Sequence, residues 1–414
     1  MPRPTTEAKL IEAMSEMDII DAHEHLGPEQ ERLDTRVDAL QLFSHYCRTD
    51  LICAGMTPEQ YDSLTDVSIR LEQRWAAFRP FLPHIRHCSY ARPAFEAARE
   101  FYGFDDVNDD TYQALSERMG VDNTPGIYRR ILRDRCRIRT ALTQCGRIVS
   151  DGGLLTSLLH MGTYADVESA EQIEQRAAEL CTTVTALEDY VEVVRKGLTQ
   201  WKDEGVVGIK MASTPACEPA KDERAAARAF ALIRSGIDVE PDTKATLSNY
   251  LMHEMLDMCA ELDLVVAVHM GMWGDFRTLD PQWMIAVLPQ HPDTRFDLYH
   301  MGMPWVRVAG VIGKNNPNAW MNLCWTHIIS PRMTVSALDE YIDLVPLNKI
   351  IGFGGDYSSR CVEKVFGHLK MARENIAEVL ARRIDRGQMG FDQAVEICRL
   401  WLYETPKQVY RLKV

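Results

Sequence analysis

The chain has 414 residues, 46% of them hydrophobic and 26% charged, which is enough apolar material for a large packed core. A net charge of −14 with no offsetting basic stripe excludes nucleic acid as the main partner. No apolar stretch approaches the roughly 18 residues of a membrane span, and no basic-then-apolar leader is read, so a cytoplasmic, non-membrane protein is expected.

A helix is predicted over 5–17, followed by a strand at 18–22 that ends in Asp21-Ala22-His23-Glu24-His25. Residues 29–135 then separate this strand from the next and show helical spacing at 39–47, 57–76 and 92–101, with turn signals at 103–110 and 124–126. The segment reads as a helical insertion on the first strand-to-helix loop, placed as a lid over the mouth of the fold. The Arg-rich run 128–139 reads as a solvated helix face leading into a strand. Further strands are expected at 138–143, 153–159, 206–210, 264–268, 295–299, 319–324 and 349–353. Helical patterns lie between most of them, at 170–201, 244–262, 281–288, 305–314 and 335–344. The gap 145–152 is too short for a helix and reads as an irregular crossover. A last helix is expected at 385–401, with a break at Thr405-Pro406. Strand–helix alternation implies a parallel sheet, and eight such units imply an α/β (β/α)8 TIM barrel. The whole chain, 1–414, is then one barrel domain that carries its insertion.

Chemistry concentrates at the predicted strand ends. Residues two apart on a strand share a face, so His23 and His25 project together, and neutral imidazole is the commonest side-chain metal ligand. The fifth strand ends in His269 and the sixth in His300, each followed by Met-Gly, while the eighth runs through Gly354-Gly355 into Asp356. In a barrel all five would meet at one mouth. Three imidazoles and a carboxylate make a zinc-type site, Zn2+ first with Mn2+ or Fe2+ as alternatives. Three or four protein ligands leave room for a water of lowered pKa. Asp356 can touch the ion and take the proton, and His300 can orient or protonate the substrate. Lys210 ends the fourth strand, Trp273 and Arg277 follow His269, Trp325 and His327 follow the seventh strand, and Tyr357 and Arg360 follow Asp356. Loop positions at the C-terminal face favour substrate contact for the six that follow a strand. His45, His84, His87, His160, His253, His291 and His368 each stand alone and read as ordinary core or surface residues, His160 being the one to watch. The 11 cysteines show no C-x-x-C and no metal spacing, which fits a reducing compartment. Cys324, near the active face, reads as a small buried hydrophobe.

The order H-x-H, strand-five His, strand-six His, strand-eight Gly-Asp resembles the amidohydrolase superfamily, and within it the amidohydrolase-related (type 2) branch. The closing run from Thr405 to Leu412 is similar to that branch's terminal helix, with Glu404 where Asn is customary. The insertion and the stretch 318–331 are similar to the uronate isomerase relatives. The resemblance implies that His23, His25, His269 and Asp356 carry the metal and that His300 is catalytic. It also implies two fates for Lys210, a carbamate bridging two ions or, in mononuclear members, a cation facing a substrate carboxylate; a structural lysine is the third reading. One ion is the reading adopted, two if Lys210 is carbamylated. The function expected is a metal-dependent hydrolase of a small carboxylated or cyclic substrate, using a metal-bound hydroxide. The alternative is a decarboxylase or uronate-type isomerase on the same site. The expected partner is a small molecule, with homo-oligomerisation possible.

Overall fold

The computed structural model describes residues 5–148, 153–211 and 220–414. Eight strands form a single sheet in sequence order: β1 Ile19–Glu24, β2 Ile138–Thr143, β3 Leu155–His160, β4 Gly208–Met211, β5 Val265–Val268, β6 Arg295–Leu298, β7 Ala319–Asn322 and β8 Ile350–Ile351. Neighbouring strands are parallel throughout. The seam between β8 and β1 is bridged by backbone bonds: Ala22 N donates to Phe353 O at 3.1 Å, Asp356 N to His23 O at 2.9 Å, and His25 N to Tyr357 O at 3.0 Å. The fold is the expected TIM barrel.

The strands are apolar runs because both faces are covered. Inside the barrel, Ile20, Ala22, Leu142, Leu158, Val265, Ala267, Tyr299 and Ile351 pack together, and Val409, Tyr410 and Leu412 of the C-terminal segment join them. The outer faces pack under the helices Leu187–Asp203, Pro241–Glu261, Val306–Asn315, Pro331–Leu344 and Lys364–Asp385.

Several element boundaries differ from expectation. The 170–201 pattern is two helices, Ala170–Glu179 and Leu187–Asp203, because the Asp189 carboxylate accepts from the amides of Thr185 and Ala186 and starts the second afresh. The helix expected at 385–401 is instead the end of Lys364–Asp385, a turn, and Phe391–Arg399. Residues 149–152 of the expected crossover lie outside the described residues. Between β1 and β2 the chain forms short helices, among them Pro58–Thr65, Leu71–Phe78, Arg92–Tyr102 and Tyr112–Asp122. Their apolar faces belong to the same core as the barrel's outer face. No helix among the described residues is long and apolar enough to cross a membrane.

Candidate metal centre at the barrel mouth

His23 is almost fully buried at the end of β1, and the His25 side chain is 40% exposed. Both Nε2 atoms lie 3.2 Å from Asp356 Oδ1, and the ligand-type atoms of the three residues all lie within 4.8 Å of one another. Asp356 reaches this point by taking a left-handed backbone conformation (φ 62°), an uncommon state for a non-glycine residue that typically marks a functional site. The two preceding glycines serve close approach rather than positive φ. A Cβ on Gly354 would sit 2.4 Å from Cys324 Cβ, and one on Gly355 would sit 2.0 Å from Glu24 Oε1.

Two carboxyl groups of β1 grip this turn. Asp21 Oδ1 accepts from the amides of His23 (3.2 Å) and Gly355 (3.1 Å), and Glu24 Oε2 accepts from the Tyr357 amide at 2.6 Å. Strand one thus holds the backbone on both sides of Asp356. Burial raises both acids, Asp21 to about 6 and Glu24 well above the carboxylate range, with the Asp21 charge adding to the rise in Glu24.

The His23, His269 and His300 rings are offered neutral. Burial pushes His23 and His269 well below their ordinary value and His300 down to about 4. Burial alone would raise Asp356, but His23 and His25 beside it outweigh that effect and hold it well below the carboxylate range. His300 Nδ1 lies 3.0 Å from the Cys324 carbonyl, so it is the donor there, and His300 Nε2 must accept from His269 Nδ1 at 3.1 Å. That chain of tautomers leaves His269 Nε2 as a bare lone pair, buried and without a hydrogen-bond partner. His269 stands outside the three-residue group, and His300 Nε2 lies 4.0 Å from Asp356 Oδ2.

A cavity of about 430 Å3 opens over these groups. Of the residues singled out in the sequence, His23, His25, Lys210, His269, Trp273, Trp325 and Asp356 line it. Lys210 is buried at the end of β4, and burial lowers its ammonium to about 8. Trp325 is held at φ 63°, its amide donating to Gly354 O at 3.0 Å. Trp273 stands 60% exposed at the rim.

Four of the expected substrate contacts fall elsewhere. His327 is fully buried between Gly352 O (2.9 Å) and the Asn375 amide (3.2 Å), tying β8 to the helix Lys364–Asp385. Arg277 is exposed and paired with Asp275, two residues before it, at 2.6 Å. Arg360 is exposed, and its carbonyl accepts from Arg32 at 3.0 Å. Tyr357 is fully buried among His45, Tyr46 and His368 rather than at the cavity wall. Each follows a strand end in sequence, but its side chain turns outward or under the loop.

His45, Tyr46, Gln144 and His160 complete the lining. His45 and Tyr46 come from the insertion, and Tyr46 stacks on Trp325 with ring centroids 4.6 Å apart. The Tyr46 hydroxyl is held protonated by burial and by the Asp356 charge it faces. Gln144 Nε2 lies 3.4 Å from His23 Nδ1. His160 ends β3 as His269 follows β5, a signal present in the sequence; nothing local to residues 45 and 46 marks them. The buried Cys324 has its sulfur 3.4 Å from His300 Nδ1.

Residues 160–358 match the amidohydrolase family model. No curated protein matches the chain. Among solved structures, it is similar to a glucuronate isomerase from Caulobacter crescentus, 18% identical, with a TM-score of 0.82 and coverage of 100% of this chain and 96% of that one. A uronate isomerase from Thermotoga maritima is 16% identical with a TM-score of 0.80, covering 98% and 97%. A putative metal-dependent hydrolase from Lactobacillus casei is 15% identical with a TM-score of 0.65, covering 97% of each chain. At these identities the likeness is one of fold, and it runs the length of the chain, insertion included. The stretch that matches the amidohydrolase family model runs from the end of β3 to the Asp356 turn, and the chain shares its fold with solved uronate isomerases.

Proposed function

We propose that the chain is a metal-dependent enzyme acting on a small carboxylated or cyclic molecule in the cytoplasm. In this reading His23, His25 and Asp356 hold one divalent ion. The observation that carries it is the convergence of two imidazole nitrogens and an otherwise unpartnered carboxylate oxygen, Asp356 Oδ1, at the open end of the barrel. The donor set, two imidazole nitrogens and one carboxylate oxygen, suits zinc, with manganese and iron as alternatives. Such an ion, when bound, supplies Lewis acidity to a substrate oxygen. Lys210 bears no carbamate role in this reading, because its ammonium rests 3.6 Å over the Tyr299 ring and the proposed site holds a single ion.

The chain's own groups then move protons. Asp356, ionised at neutral pH, is the base. Tyr46, held protonated beside that carboxylate, is an acid within the same cavity. A base and an acid facing one cavity suit transfer of a proton between adjacent carbons of a hydroxy-carbonyl compound, an isomerisation. The full-length likeness to uronate isomerases supports that reaction class. Hydrolysis is the second reading, favoured by the His300–His269 pair, whose bare His269 Nε2 lone pair can take the proton from an attacking water. Trp273 and Trp325 supply apolar walls for the substrate, and Gln144 and His160 supply polar contacts.

Turnover of candidate substrates in water enriched in deuterium and heavy oxygen separates the two. Isomerisation places deuterium on carbon without oxygen uptake, whereas hydrolysis places heavy oxygen in the product. Oxygen incorporation without carbon-bound deuterium would overturn the isomerase reading.

A further inference from the structure

The chain leaving β2 grips the end of β1. Three consecutive residues, Thr143-Gln144-Cys145, meet the four from His23 to Leu26. The Thr143 hydroxyl donates to Leu26 O at 2.6 Å, the Gln144 backbone N–H donates to Glu24 O at 3.1 Å, and the Cys145 thiol donates to His25 O at 3.0 Å. These three contacts fix the backbone that carries the two histidines. A fourth reaches a ring: the Gln144 side chain lies 3.4 Å from His23, Nε2 to Nδ1.

An imidazole that gives Nε2 to a divalent ion keeps its proton on Nδ1, and that N–H needs an acceptor. His23 is almost fully buried, so bulk water does not supply one. Its near neighbours are otherwise engaged. Asp21 accepts from the His23 backbone amide, not from the ring. Tyr299 meets the imidazole with its ring, centroids 4.5 Å apart, and its hydroxyl donates to Ala22 O at 3.2 Å. Among the described residues Gln144 is the sole hydrogen-bond partner of His23 Nδ1. A carboxamide carries a donor at one end and an acceptor at the other, so it can turn its oxygen to that N–H.

We propose that Gln144 is a positioning residue of the ion site: its amide oxygen accepts from His23 Nδ1–H, which fixes the tautomer and the aim of the ring so that Nε2 is the nitrogen offered to the ion. The backbone bond from Gln144 to Glu24 sets the point from which that side chain reaches. An amide has two ends, so the contact with His23 leaves the other for the substrate. This rests on the metal-site reading above and adds the residue that orients its first ligand.

Zinc affinity of the full chain, measured by competition with a chromophoric chelator, tests it together with NMR of the zinc-loaded chain carrying isotope-labelled histidine. Gln144→Met fills similar space without an amide. It is expected to weaken zinc binding roughly tenfold to a hundredfold, the scale of losing the outer partner of a ligating histidine, and to speed solvent exchange of the His23 Nδ1 proton. Gln144→Glu keeps an acceptor oxygen at that reach and is expected to hold zinc at least as tightly as wild type, with the proton still protected. Equal zinc affinity in wild type and Gln144→Met overturns the proposal and leaves the metal reading in place. So does a zinc-loaded wild type whose His23 proton sits on Nε2. Equal losses in Gln144→Met and Gln144→Glu also overturn it, because they mark a packing contact and not an acceptor. A wild type that takes up no zinc overturns the metal reading, and the proposal with it.

Discussion

His327 illustrates how burial fixes a side chain's charge and role together. Its ring is fully enclosed, which pushes its pKa down to about 4, and its two nitrogens meet Gly352 O and the Asn375 amide. A histidine near 6.5 when unfolded and near 4 when folded takes its proton first in the unfolded chain as pH falls. Its contribution is therefore complete above about pH 6.5 and lost progressively toward pH 4, on the order of 2–3 kcal/mol. His327→Gln is expected to flatten the fall in melting temperature between pH 6.5 and 4 relative to wild type, read as a difference curve. That difference removes the parallel contribution of His368 and the opposite one of Asp297, whose raised carboxyl stabilises at low pH. An unchanged slope would contradict the assignment. From sequence, His327 looked like a mouth residue because it follows β7 closely. The distinction lies in a side-chain direction that spacing does not encode. The same holds for Arg277, which turns back onto Asp275.

The turn after β8 is the element on which the site depends. Gly354 lies against Cys324 and the His23 amide, Gly355 against Glu24, and Asp356 takes the left-handed conformation between amides gripped by Asp21 and Glu24. Gly355→Ala forces a methyl into the Glu24 carboxyl and is expected to cost about 1–3 kcal/mol of stability, and to weaken zinc binding more than a surface glycine substitution of equal stability cost. Differential scanning calorimetry with and without zinc checks both. Unaltered zinc affinity would show that the grip on Asp356 is not what sets the ligand geometry. The glycine pair and Asp356 were legible in the sequence, but their reason was not. The tight packing belongs to the glycines and the strained φ to the aspartate. The helix Lys364–Asp385 escaped the sequence reading because it is buried on many faces, from Val365 and Leu369 to His368 and Arg373, and no side chain caps its start. Its polar stripe is narrow, one line of Lys370, Glu374, Glu378 and Arg382, so its period is weak in the sequence.

At the scale of the whole molecule, the barrel was legible because its strands are short apolar runs, and all eight fell within two residues of their expected bounds. The eighth is only two residues long, its remaining length being given over to the glycine-rich turn. The insertion was legible as helical, but not as the source of His45 and Tyr46, since which loop residues reach a mouth depends on tertiary packing. That packing is extensive. Gly367 leaves no room for a side chain against Pro93 of the insertion, and the Cys47, Tyr90 and Phe78 side chains belong to the common core. The segment is structural as well as covering, so removing it would expose core surface rather than merely open the mouth.

The most direct measurement of the central claim is the metal content of the purified full chain, by mass spectrometry after equilibration with zinc and removal of excess. The wild type is expected to hold one ion per chain, and a chain carrying His23→Ala, His25→Ala and Asp356→Asn together is expected to hold none while keeping its circular dichroism spectrum. A wild type that binds no ion, or a folded triple variant that still binds one, would contradict the account.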